Sequence, residues 1–170
     1  YKEMAAWTID DPRVVNEVKT AKLYGDTQES FRDECVVHKG PDNDDPERLE
    51  LWLPHTSAVE FIAGADQWAL TYLTSNAQRF FNEPLSPVQV AKQYHPALAT
   101  LDGDHPLLRA RFSVDAPCEQ LDLPDARPDA WPGLMVWPLI DIKGLWFTDD
   151  ACGLTVEVLQ LEYDFRMYAM

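Results

Sequence analysis

Residues 144–165 read Gly-Leu-Trp-Phe-Thr-Asp-Asp-Ala-Cys-Gly-Leu-Thr-Val-Glu-Val-Leu-Gln-Leu-Glu-Tyr-Asp-Phe. Two apolar runs flank a short polar turn, Thr148 to Gly153, and each run begins at a glycine. Apolar and β-branched residues recurring with period two belong in strands, and a turn this short joins them as a hairpin. In the second run Glu157 points outward, and the alternation slips at Leu159–Gln160, which predicts a bulge. Upstream, residues 134–142 (LMVWPLIDI) extend the first strand. Pro138 within it predicts an edge position or a bulge, because proline offers no N–H to a ladder. Lys143–Gly144 marks a kink or a close approach of two backbones. The end of the chain therefore closes a sheet.

Working back from the hairpin, residues 107–114 (LLRARFSV) alternate as well. Leu108, Ala110, Phe112 and Val114 share one face, and Arg109, Arg111 and Ser113 share the other. Residues 115–132, rich in Pro and Asp, form a long excursion between strands. The middle of the chain is helical. Ser57 and Glu60 fit a capping box, and apolar residues at Val59, Ile62, Ala65, Ala69, Tyr72 and Leu73 predict a helix over 58–80. A second helix over 87–94 is predicted from Ser86 as its cap and Pro87 at its first position, ending before Pro96. Leu49–Leu53 alternates towards a strand that stops at Pro54, and Val36–Val37 sits in another. Between them, residues 40–46 (GPDNDDP) form a loop. The pattern predicts one domain over 1–170, α+β and mainly β.

Composition excludes several classes of function. Hydrophobic residues make up 46% of the 170, so the chain buries a core and is no disordered tail. No run of about 18 apolar residues occurs, so no membrane-spanning segment is expected. The first residue is Tyr1 rather than Met, which leaves a processed leader open. Three cysteines, Cys35, Cys118 and Cys152, make no disulfide framework and predict an intracellular setting of unspecified compartment. The net charge is −15, divided as −6 over 1–55, −1 over 56–100 and −8 over 101–170. Such a field repels polyanions at long range and favours a basic partner.

Catalytic patterns are missing. There is no G-x-S-x-G elbow, no glycine-rich phosphate loop and no dinucleotide fingerprint. Cys35-x-x-His38 has no second pair at zinc-finger distance, and the acidic loop lacks the spacing and terminal glutamate of the helix-loop-helix calcium site. No enzyme, no cofactor and no metal is expected. One constellation stands out. Arg109 and Arg111 share a strand face, about 7 Å apart at the strand rise. Trp137, Trp146 and Tyr163 are candidate rings beside them, and Lys143 a further cation. Guanidinium groups with aromatic rings on a sheet face suit single-stranded nucleic acid, where bases stack and phosphates pair. The same residues also suit a solvated face whose arginines pair with carboxylates, its tryptophans in the core.

The second half resembles a family of single-stranded-DNA-binding proteins of large eukaryotic DNA viruses with algal and protist relatives. The resemblance lies in residues 77–86 (AQRFFNEPLS), 94–98 (YHPAL), 105–111 (HPLLRAR), 144–147 (GLWF) and 153–155 (GLT), and covers roughly residues 70–165. It implies an OB-like antiparallel β-barrel with an inserted helical pair, binding single-stranded DNA in replication or repair, in a nucleus or virus factory. The sequence departs from that pattern in carrying only Lys92 and Lys143 as lysines after Lys39. The alternative expectation is a structural subunit of a larger assembly, with other proteins as partners, that keeps the fold without the binding. A DNA mimic, which needs clustered carboxylates, fits the dispersed charge least.

Overall fold

The structure, a computed structural model, describes residues 7–15, 18–24, 30–100, 106–120 and 127–168. Its spine is the carboxyl-terminal hairpin. β11 (Leu134–Phe147) and β12 (Cys152–Tyr168) pair antiparallel over almost their whole length. On its other side β11 meets β5 (Cys35–Lys39), which pairs with β6 (Arg48–Trp52). β6 pairs with β9 (Pro106–Arg111), and β9 returns to β12 through a parallel contact of Arg111 with Glu157. These five strands close on themselves as an OB-like barrel, the mainly β architecture that the sequence predicts.

Shorter strands decorate the barrel. β3 (Val18–Tyr24) extends the sheet beside the last residues of β11, with β1 (Thr8–Ile9) and β2 (Arg13–Val15) paired to it. β4 (Ser30–Arg32) lies against the middle of β11. β7 (Tyr94–His95), β8 (Leu98–Thr100) and β10 (Cys118–Gln120) pair with β12, β9 and β12 respectively.

Between β6 and β9 the chain inserts its helices: α1 (Thr56–Ser75), α2 (Ala77–Phe81) and α3 (Pro87–Gln93). Sequence periodicity predicts a single helix over 58–80, and the structure differs at both ends. Leu53 N–H donates to Pro106 O at 3.0 Å, so the chain stays in the sheet through Leu53, and the helix starts as soon as Pro54 is passed. His55 takes the cap position, and Ser57 and Glu60 fall inside the helix instead of forming its capping box. At the other end Asn76 folds back, its side-chain amide donating to Tyr72 O at 2.8 Å, and separates α1 from α2. At α3 the expected cap does form. Ser86 Oγ accepts from Gln89 N–H while Gln89 Oε1 accepts from Ser86 N–H. The face of α1 with Ala58, Phe61, Ile62, Ala65, Ala69 and Leu73 is buried in the core. Trp7 seals the helix from the side, edge-on to Phe61 and Trp68.

Two bulges set which side chains face out. Beyond an irregularity at its start, between Leu134 and Val136, the register of β11 against β12 shifts at Leu159 and again between Ile142 and Gly144. Before the second shift the even-numbered residues Leu134, Val136, Ile140 and Ile142 are buried, and after it the odd-numbered Leu145 and Phe147 are. Lys143 and Trp146 consequently lie outward despite their opposite parity. Gly144 makes the shift possible. Its φ is +156°, and a Cβ there would stand 2.0 Å from Ala21 O of β3. Pro138 corrects a simpler expectation. It lies neither at a sheet edge nor at a register shift, but opposite Leu161 of β12. On the other side of β11 it falls in the interval between Val136, which pairs with β5, and Leu139, which pairs with β4. Val114, expected on the buried face, lies beyond the end of β9 and is exposed. His105 and residues 121–126 of the long excursion lie outside the described residues.

Candidate nucleic-acid interface

A groove of about 790 Å³ runs across the outside of β6 and β9 towards the β11–β12 hairpin. Its polar lining comes from strand alternation. Arg48 and Glu50 stand on the outward face of β6 while Leu49 and Leu51 fill the core. Opposite them in register, Arg48 faces Arg111 and Glu50 faces Arg109 across the ladder. Trp146 of β11, with Thr155 of β12 and Thr20 of β3, forms the far wall. Thr20 and Thr155 also line a smaller trough of about 310 Å³ that holds Lys22 and Lys143, so the two depressions adjoin. Together they present five cations against four carboxylates, Asp45, Glu47, Glu50 and Glu157. With Asp141, which pairs with Lys143, the count is even, and in a chain with 29 acidic and 14 basic residues that is a local balance of charge.

The cations differ in how they are held. Arg111 Nη2 donates to Glu47 Oε1 at 2.7 Å, and Lys143 Nζ sits 2.9 Å from Asp141. Arg48 lies 3.5 Å from Asp45 and 3.8 Å from Glu50. Among the described residues the Arg109 guanidinium has neither an ion pair nor a hydrogen bond, and it is exposed. Trp146 is half-buried, its indole lying over Gly153 opposite it in β12 and 6.0 Å from the His95 ring. Gly153 is needed there. An added Cβ would stand 2.7 Å from His95 O and 3.0 Å from the indole. Gly153→Ala is expected to lift the ring and cost about 1–2 kcal/mol, read as a shift in tryptophan emission together with a lower unfolding midpoint.

Of the six residues singled out from sequence, the structure gathers four, Arg109, Arg111, Trp146 and Lys143, along the adjoining depressions. Two belong elsewhere. Tyr163 is 2% exposed, because the bulge at Leu159 turns the odd-numbered residues of β12 inward, so its ring is core and reaches no ligand. Trp137 is half-buried on the earlier segment of β11, opposite Glu162, and its carbonyl accepts from Arg32 Nη1 at 2.9 Å. It lines neither depression. Sequence reading missed Arg48, whose place in the groove follows from the alternation of residues 48–52. It also missed Lys22 and Thr20, which need the long-range pairing of β3 with β11.

The cysteines stand apart from this surface. All three are free and buried, and burial pushes the Cys118 and Cys152 thiols up to about 11, so none is a thiolate at neutral pH.

No protein-family model matches the chain, and no curated protein matches it. Among solved structures it is similar to a single-stranded DNA-binding protein from bacteriophage Enc34, determined in complex with single-stranded DNA. The identity is 13% and the TM-score 0.50, over 91% of this chain and 94% of that one. At that identity the likeness establishes a shared fold, the OB-like barrel with its additions.

Proposed function

We propose that this chain is a non-enzymatic binder of single-stranded DNA, taking the strand across the outer face of β6 and β9, in the setting of replication or repair. The observation that carries this reading is the groove itself: three arginines and an indole held on regular strands, in a chain of net charge −15. OB-like barrels take oligonucleotides on the face of their second and third strands, and at the loops joining strands one to two and four to five. Here those are β6 and β9, the 40–47 connection, and the turn at Thr148–Ala151. A guanidinium fork meets phosphate oxygens in pairs, and an indole face accepts a base of any sequence. The phage protein of the same fold, solved with its single strand, supports the same assignment.

Exposed Val14, Val18, Phe165 and Met167, with the acidity of the whole, favour a second reading as a subunit of a protein assembly. Titration of the protein with an oligothymidylate of about 15 nucleotides, followed by tryptophan fluorescence, separates the two. Binding at low salt that weakens with added salt is expected. Arg109→Ala with Arg111→Ala removes two phosphate contacts and flattens the slope of log K against log salt by about 1.4. Trp146→Ala costs about 1–3 kcal/mol if a base stacks there. A parent chain that leaves the oligonucleotide free at low salt refutes the DNA reading and leaves the subunit.

A further inference from the structure

We propose that the connection between β5 and β6 is a built-in competitor for DNA, its carboxylates occupying the guanidinium groups that phosphates would take; the inference rests on the nucleic-acid reading above. Glu47 Oε1 accepts from Arg111 Nη2 at 2.7 Å, and Asp45 Oδ2 lies 3.5 Å from Arg48 Nε. All four side chains line the groove. Of its three arginines, only Arg109 is without such a partner among the described residues.

The connection is held firmly enough for this role. Asp42 Oδ1 accepts from the backbone N–H of Asp44 at 2.9 Å and of Asp45 at 2.7 Å. Arg48 N–H donates back to Asp45 O, and Phe112 N–H donates to Glu47 O at 2.8 Å, fastening Glu47 beside the end of β9. At its start, Gly40 lies under the Trp131 indole, where a Cβ would stand 2.2 Å from the ring. The backbone that carries the two carboxylates is therefore held beside the arginines they meet.

A carboxylate and a phosphate both offer a guanidinium two oxygens, so a small anion gains little by replacing Glu47. A polyanion gains more, because each phosphate placed also releases counterions along the strand. Arg109 and Trp146 then make the first contacts, and Arg111 and Arg48 exchange their carboxylates for phosphates as the strand settles. The displaced carboxylates stay nearby and repel it, which keeps binding weak and readily reversed.

The test compares the parent with Glu47→Gln and, as a control, Glu119→Gln on β10, an exposed carboxylate outside the groove. Each is titrated with oligothymidylate over a series of salt concentrations, after thermal unfolding has verified the fold. Glu47→Gln is expected to bind about fivefold tighter at low salt, near the top of the range for an exposed ion pair. Its salt slope should steepen, by at most about 0.7, because no displaced Glu47 carboxylate takes up a cation as the strand binds, while Glu119→Gln keeps the parent slope. In an Arg111→Ala background the gain from Glu47→Gln should vanish. Equal gains from Glu47→Gln and the control, with an unchanged slope, reduce the effect to overall charge and overturn the proposal alone. Weaker binding by Glu47→Gln makes Glu47 a support for Arg111 and overturns it too. Binding by Glu47→Gln without binding by the parent overturns the DNA reading of the native chain, and with it a competitor that DNA displaces. Absence of binding in both overturns the competitor and the DNA reading together.

Discussion

Asp66→Ala is expected to lower the unfolding free energy by about 3–5 kcal/mol, a large part of the roughly 5–15 kcal/mol that holds a domain together. Asp66 lies inside α1 and is 8% exposed. Its carboxylate accepts from three donors on the far side of the helical insertion: Tyr94 Oη at 2.6 Å, Ala97 N–H at 3.0 Å and Leu98 N–H at 3.2 Å. The single side chain thus fastens α1 to the segment that leads from α3 through β7 into β8 and the barrel. Alanine strands three donors at once, two of them on the buried Tyr94 and Ala97. Each buried donor left unpaired costs about 1–3 kcal/mol. Urea unfolding of parent and variant reads the loss as a lower midpoint at unchanged slope. A drop under about 1 kcal/mol would mean that water reaches the donors and that α1 is held by its apolar face alone.

The same residue gives a pH signature. Burial raises the Asp66 carboxyl above the usual carboxylate range, and the three donors pull it back only in part. The folded state therefore holds its proton more tightly than the unfolded chain does. Stability from this group is fully present below the unfolded pKa and is lost as pH rises through the raised folded value. Asp66→Asn does not titrate. The stability difference between parent and Asp66→Asn should accordingly move against the parent as pH climbs out of the ordinary carboxylate range.

What was legible from sequence follows a physical line. The hairpin, the bulge at Leu159 and the cap at Ser86 are local, and each is readable because period-two alternation or turn chemistry records it within a few residues; at Gly144 the glycine signals a close approach, but the strand it meets, β3, is not legible. Asp66 was not readable. A charged residue in a helix interior looks like a solvated position until the fold brings Tyr94 and the 97–98 backbone over it. Arg127 is a similar case, with Nη2 donating to the carbonyls of Ser113, Val114 and Ala116 and its guanidinium over the Phe112 ring. In the site, alternation alone placed Arg109 and Arg111 on one face correctly. Tyr163 goes wrong because the bulge expected at Leu159–Gln160 is not carried through to the residues beyond it, whose faces it inverts. Sequence reading also treated the carboxylates as a diffuse field, whereas β5–β6 and β6–β9 pairing sets three of them against three arginines in one groove.

Gly144→Ala ties the fold to the groove and should cost at least about 3 kcal/mol, because strain and overlap act together. The φ of +156° is one that a side chain resists, and the added Cβ would stand 2.0 Å from Ala21 O, 3.0 Å from Ala21 C and 3.1 Å from Lys22 Cα. All three atoms are backbone, so no rotamer change gives relief. Either β3 separates from the end of β11 or β11 gives up its register shift. The first outcome removes Thr20 and Lys22 from the wall of the groove. The second restores simple alternation beyond Ile142, which turns Trp146 towards the core and Phe147 towards solvent. Both predict that Gly144→Ala, under conditions where it remains folded, loses the tryptophan response to oligonucleotide along with its stability. Amide exchange of Thr20, Ala21 and Lys22 distinguishes them, since only detachment of β3 speeds those amides. A variant that keeps the parent's unfolding midpoint would show that the close approach of β3 to Gly144 is not what sets the outward face of β11.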